Sequence, residues 1–271
     1  MKIRYDTDMA IDLKDETEFK NHYDYYEEKT DEYKLEVIRL NEDHEIYNKS
    51  KGVYISISFD DLDYSYDSVK EKLVEVLNHM TSFLKLQRKK KVLICGLGND
   101  NLACDCLGPL LKNKVVINEI GHTFLLIPGV KGQTGIETYD LISAYITKSQ
   151  PDIVLLIDAL ASRSVTKLNQ VIQITDTGIK PGSGVGNHCE VLNKSTLHKP
   201  VICIGVPTVV RIINIAKDIF AYFKIDEDSL DIQFEDDQYN QIVMDKSCDV
   251  KIKQLANLIA EALNEFLNEE N

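Results

Sequence analysis

Five short, apolar-rich runs constrain this chain most: residues 92–95, 124–127, 153–157, 171–174 and 201–204. Each has the length of a strand and is rich in β-branched residues. A run with no polar alternation suits a strand covered on both faces. Helical spacing of apolar residues fills the intervals at 107–117, 136–146 and 209–223, and a last helix is predicted over 250–267. Strands alternating with helices predict an α/β fold, a doubly wound, mostly parallel sheet with helices on both faces.

Ahead of these runs, Val53, Ile55, Ile57 and Phe59 alternate with polar residues, the pattern of a half-buried strand. Ser68-x-x-Glu71 reads as a capping box opening a helix through Val69, Leu73, Val76, Leu77, Met80 and Leu84. The basic run Arg88-Lys89-Lys90-Lys91 is its solvated end. Residues 1–50 are polar and acidic, with a tyrosine-rich stretch at His22-Tyr23-Asp24-Tyr25-Tyr26, and read as an N-terminal extension. Residues 51–271 read as a single α/β domain, with the acidic stretch 226–237 as a surface insertion.

Composition narrows the function. Hydrophobic residues make up 44% of the 271, enough for a sizeable core. No apolar run approaches the roughly 18 residues of a membrane span, and the first residues lack the apolar core of a secretory signal. A cytoplasmic location is expected, with no membrane partner. The net charge of −13 repels phosphate backbones, so direct nucleic-acid binding is not expected. Such a surface suits a basic or neutral polypeptide. The six cysteines are scattered, and Cys104-x-Cys106 has no second pair to complete a zinc site.

In a doubly wound sheet, function gathers beyond the C-terminal ends of the strands. Gly96-x-Gly98 follows a strand, but Asn101 stands where a dinucleotide fingerprint needs its third glycine. Gly182-x-Gly184-x-Gly186 lacks the lysine and hydroxyl of a phosphate-binding loop. No Gly-x-Ser-x-Gly elbow surrounds Ser162, and neither His188 nor His198 has a nucleophile in matching context. Asp158 directly follows the run 153–157, and Asp105 lies in the loop after 92–95. Two carboxylates facing one crevice can divide roles, one keeping a proton while the other activates water, or they can hold a divalent ion. A helix cap at Asp105 and a turn at Asp158 are the structural alternatives.

Five segments then resemble one family. They are Gly96-Leu97-Gly98-Asn99 with Asp105-x-Leu107-Gly108-Pro109; Pro128-Gly129-Val130 with Gly132-Gln133-Thr134-Gly135-Ile136-Glu137-Thr138; Asp158-Ala159-Leu160-Ala161-Ser162-Arg163-Ser164; Asp176-Thr177-Gly178-Ile179 with Pro181-Gly182-Ser183-Gly184-Val185-Gly186-Asn187; and Gly205-Val206-Pro207-Thr208-Val209-Val210. In this order they resemble the spore germination proteases, and more distantly the hydrogenase maturation peptidases, which implies a hydrogenase-maturation-peptidase-like, phosphorylase-like fold. The resemblance implies an endopeptidase that degrades small acid-soluble spore proteins in the spore core during germination. It implies a precursor form and a homo-oligomer, such as a tetramer. It assigns catalysis to Asp105 and Asp158, which would also be the ligands of any metal. Gly96, Asn99, Thr134, Glu137, Ser162, Arg163, Thr177 and Ser183 are expected to line the site, with Arg163 binding a substrate carboxylate or pairing with Asp158. No cofactor is expected beyond a divalent ion. Ala103-Cys104 departs from the family's threonine-proline pair, and Arg4-Tyr5-Asp6-Thr7-Asp8-Met9-Ala10 resembles the segment near its maturation site. A non-catalytic paralogue that binds spore proteins, and a metal-dependent maturation peptidase, are the rival readings.

Overall fold

The computed structural model describes residues 7–16, 19–84, 90–117, 122–182, 190–225 and 241–269. Ser183, the Gly184–Gly186 part of the glycine-rich loop, His188, Arg88-Lys89 and the acidic stretch 226–237 lie outside the described residues. The strands are β1 (Tyr23–Lys29), β2 (Lys34–Leu40), β3 (Gly52–Ser58), β4 (Val92–Gly96), β5 (Thr123–Leu126), β6 (Ile153–Ser162), β7 (Val171–Thr175), β8 (Val201–Arg211) and β9 (Ile242–Met244). The helices are α1 (Leu62–Phe83), α2 (Lys131–Thr134), α3 (Thr138–Ser149), α4 (Lys194–Leu197), α5 (Ile212–Phe223) and α6 (Cys248–Glu269).

Among the described residues, nine strands join one sheet in the order β1-β2-β3-β7-β8-β6-β4-β5, with β9 added to β8. The α/β class and the covered sheet follow from where the side chains go. Ile153, Leu155 and Ile157 pack with α1 and α6 on one face, while Val154 and Leu156 pack with Ile142 and Ile146 of α3 on the other. A strand buried on both sides has no use for polar alternation, which is why these runs were readable.

The sheet is mixed rather than mostly parallel. The parallel pairs are β4–β5, β4–β6 and β6–β8. β1–β2, β2–β3, β3–β7, β7–β8 and β8–β9 are antiparallel. Residues 23–58 form an antiparallel meander, β1 and β2 being joined by a connection too short for a crossover. The stretch read as an N-terminal extension thus supplies two strands, and Met9, Ala10, Ile11 and Leu13 are buried against Leu160 and Val171.

Three local expectations are corrected. The first long helix starts at Leu62, where the Asp61 side chain accepts from the Asp63 and Tyr64 amides at 3.0 and 3.4 Å. Ser68 is no cap; its hydroxyl donates to Glu32 at 2.6 Å. Residues 107–117 hold only a short 3-10 turn, Pro109–Leu111, in place of a helix. The helix expected over 209–223 begins at Ile212, because β8 continues to Arg211. Among the described residues, no helix is long and apolar enough to cross a membrane.

Candidate active site

β4 stops at Gly96, which pairs with Ile157, so the β4 side of the next residue of β6 is open. That residue is Asp158, paired on its other side with Gly205 of β8. Asp158 therefore lies within β6 rather than after it, at the level where a shorter neighbour has ended. It is 4% exposed.

The chain leaving β4 folds back onto its own strand. Gly98 has φ 113°, and a Cβ there would stand 2.0 Å from the Asp105 carbonyl oxygen. A Cβ on Gly96 would stand 2.3 Å from the Gly108 carbonyl oxygen. Only glycine permits so close a return. Three successive carbonyls of the returning 3-10 turn, Ala103–Asp105, are then gripped. The Ala103 oxygen accepts from the Cys106 and Cys248 thiols at 3.3 and 3.8 Å. The Cys104 oxygen accepts from the Thr208 hydroxyl at 2.6 Å. The Asp105 oxygen accepts from the Asn99 amide at 3.0 Å. Thr208 belongs to β8 and Asn99 follows β4, and β6 runs between those two strands. The turn that carries Asp105 thus bridges the strand that carries Asp158.

The two carboxyls sit in unequal environments. Burial pushes Asp105 up from 3.8 to about 6, against the pull of the Asn99 amide, which donates to its Oδ2 at 2.9 Å. Burial drives Asp158 well above the ordinary carboxylate range, and the neighbouring charges of Asp105 and Asp8 push it the same way. Its one opposing partner is the Ala159 amide, which donates to Oδ1 at 3.0 Å. Asp158 is thus held toward its protonated form by deeper burial and by like charge, and Asp105 by burial alone. Two carboxyls, one feeling the other's charge, can divide the work of activating water and protonating a leaving group.

Asp8 was not singled out from sequence. Its amide donates to the Ala161 oxygen at 2.9 Å, and its Oδ2 accepts from the Ala161 amide at 2.8 Å. Asp12 completes the anchorage, its Oδ2 taking the Thr7 hydroxyl at 2.6 Å, the Ser162 hydroxyl at 3.1 Å and the Arg163 amide at 2.7 Å. A cavity of about 450 Å³ adjoins this segment, lined by Asp8, Leu160, Thr177 and Gly205 with the cations Lys49, Lys180 and Arg211. Gly205 is the partner of Asp158, and Leu160 lies two residues further along β6, so Asp158 faces the same side of the sheet.

The other expected residues divide. Gly96 and Asn99 shape the Asp105 turn directly. Asn99 also takes Gln133 Nε2 on its Oδ1 at 2.7 Å, tying in the segment before α3. Thr177 lines the cavity and shares a 2.9 Å hydrogen bond with Thr175. Ser162 is fully buried and serves the Asp12 network. Arg163 pairs with Glu16 at 2.6 Å and Asp218 at 3.7 Å, in place of the suggested pairing with Asp158. Thr134 bonds only within its own turn, to Val130 and Ile136, and Glu137 pairs with Lys131.

Asp105 and Asp158 would offer a divalent ion two hard oxygen donors. Among the described residues, no group of three or more His, Cys, Asp or Glu side chains is arranged to hold a metal. Two donors are a thin set for any of the common ions.

Residues 6–226 match the family profile described as Germination protease. The chain is 38% identical to the germination protease of Clostridium tetani (strain Massachusetts / E88) over 284 residues, covering 97% of this chain and 86% of that protein. It is 37% identical to that of Bacillus pumilus (strain SAFR-032), covering 80% of this chain and 66% of the relative. With the Bacillus subtilis (strain 168) germination protease it shares 40% identity over 66% of this chain and 53% of the relative. Among solved structures, the [NiFe] hydrogenase maturation protease HycI of Thermococcus kodakarensis KOD1 superposes with a TM-score of 0.39 and 20% identity, over 64% of this chain and 92% of that one. With the family profile matched from the N-terminal segment beside the site through α5, the chain belongs to the germination protease family.

Proposed function

We propose that this chain is an endopeptidase that cleaves small acid-soluble spore proteins during germination, in the spore core, using Asp105 and Asp158. The observation that carries the proposal is the unequal pair: one carboxyl raised to about 6, the other raised further by deeper burial and by its neighbour's charge. Asp105 as carboxylate takes a proton from water as the water oxygen attacks the scissile carbonyl carbon. Asp158 as carboxylic acid donates to the carbonyl oxygen as charge develops there. Collapse of the tetrahedral intermediate then passes a proton to the leaving amine.

The cavity beside β6 supports a polypeptide substrate. Among the described residues, its lining sets Lys49, Lys180 and Arg211 against Asp8, opposite in sign to the overall charge of −13. The grip of Thr208 on the Cys104 carbonyl supports activity over a merely binding paralogue. It supplies rigidity at the place where the family's threonine-proline pair is missing. Self-association into a homo-oligomer is supported by apolar side chains left in solvent on α5 and β9, among them Tyr222 at 82% and Phe223 at 66% exposure.

The test is digestion of purified small acid-soluble spore protein by wild type, Asp105→Asn and Asp158→Asn, each with and without excess chelator. Discrete fragments from wild type in chelator, with each variant slowed by about a hundredfold to ten-thousandfold, are expected. Intact substrate after incubation with folded wild type would end the peptidase reading. Cleavage abolished by chelator alone would favour the metal-dependent one.

A further inference from the structure

The mechanism makes no use of three thiols that converge on the turn carrying Asp105. Cys104 and Cys106 flank that residue in sequence, and both are partly exposed. Cys248, at the start of α6 and more than 140 positions away in sequence, is brought to the same place. The Cys106 and Cys248 sulfurs both lie against one atom, the Ala103 carbonyl oxygen, at 3.3 and 3.8 Å. The two sulfurs are therefore no further apart than those distances laid end to end. All three thiols are free.

We propose that Cys106 and Cys248 form a peroxide-oxidisable thiol pair whose disulfide unseats the Asp105 turn. The chemistry balances with hydrogen peroxide as the oxidant. The Cys106 sulfur attacks the peroxide O–O bond, giving a sulfenic acid and one water. The Cys248 sulfur then attacks the sulfenic sulfur, forming the S–S bond and releasing a second water. Two thiols are oxidised, and one peroxide is reduced to two waters.

The structural consequence follows from the shared carbonyl. As thiols, both sulfurs donate to the Ala103 oxygen, and burial, which pushes Cys248 up to about 11, keeps it a donor near neutral pH. A disulfide has no S–H, so the Ala103 carbonyl loses both donors. The sulfurs must also turn from the carbonyl toward each other to bond at about 2.05 Å. Ala103 is two residues from Asp105, and the turn loses the first of its three held carbonyls while Thr208 and Asn99 keep the next two.

The experiment treats the full chain with millimolar hydrogen peroxide, alkylates the remaining thiols, and maps peptides by mass before and after dithiothreitol. The expected result is a linked peptide pair joining Cys106 to Cys248. Cleavage should fall on the order of tenfold to a hundredfold and return with dithiothreitol. Cys248→Ser keeps a hydroxyl donor but cannot form the link, so its cleavage, measured against its own untreated rate, should resist peroxide. Cys106→Ser should also resist. The link is read by mass and stands apart from the peptidase reading, on which only the loss of cleavage rests. Peroxide that modifies other thiols without joining these two, a link that leaves cleavage unchanged, or equal inactivation of Cys248→Ser would each overturn the proposal.

Discussion

Replacing Asp105 by asparagine should make the protein more stable and nearly inactive, and the stability gain should depend on pH. Folded Asp105 sits at about 6, raised from 3.8 by burial. The folded chain therefore holds that proton more tightly than the unfolded chain does. The advantage to folding is fully present below 3.8 and lost as pH rises through about 6. Above that point the folded state carries a carboxylate it has partly desolvated. The gap corresponds to roughly 3 kcal/mol, and water reaching a partly exposed side chain trims it to about 2 kcal/mol. Asparagine is nearly isosteric, keeps an oxygen that can accept from the Asn99 amide, and carries no charge. Thermal unfolding followed by circular dichroism, at about pH 7.5 and about pH 4, reads the effect. The variant should melt roughly 4–8 °C above wild type at the higher pH and within about 2 °C at the lower. Equal or lower melting of the variant at the higher pH, or the same gap at both, would show that Asp105 is not held against its charge.

The remaining expectations follow from named contacts. Asp12→Ala leaves Lys167, the Arg163 amide and two hydroxyls without their buried partner, and should lower unfolding free energy by about 3–5 kcal/mol in a urea titration. Gly98→Ala forces a left-handed alanine and a Cβ against the Asp105 oxygen. It should cost on the order of 2 kcal/mol and most of the cleavage, and a variant of wild-type rate would refute the tight return. Thr208→Val removes the hydroxyl that holds the Cys104 carbonyl. It should slow cleavage of spore protein by roughly tenfold with little change in substrate affinity, whereas a shift confined to KM would place Thr208 in substrate binding instead.

What could be read from the sequence alone was whatever burial writes locally. β4, β6 and β8 are sandwiched by side chains on both faces, so their runs at 92–95, 153–157 and 201–204 are apolar throughout, and Asp105 and Asp158 stood out as carboxylates beside such runs. β1 was illegible for the converse reason: as an edge strand with mostly exposed side chains it needs no apolar pattern, and Tyr-Asp-Tyr-Tyr-Glu-Glu-Lys reads as polar chain. The helix expected over 107–117 failed because the turn clamped onto β4 at Gly108 leaves no room for one to start.

Only the tertiary structure decided the direction of the first three strands, the extension of β6 past Asp158, and the arrival of Asp8, Asp12 and Cys248 at the same end of the sheet. Those contacts join positions some 140 to 155 residues apart. Chain pattern reports what each residue must bury. It carries no record of which distant residue will share the space, because that is settled by the order in which strands pair.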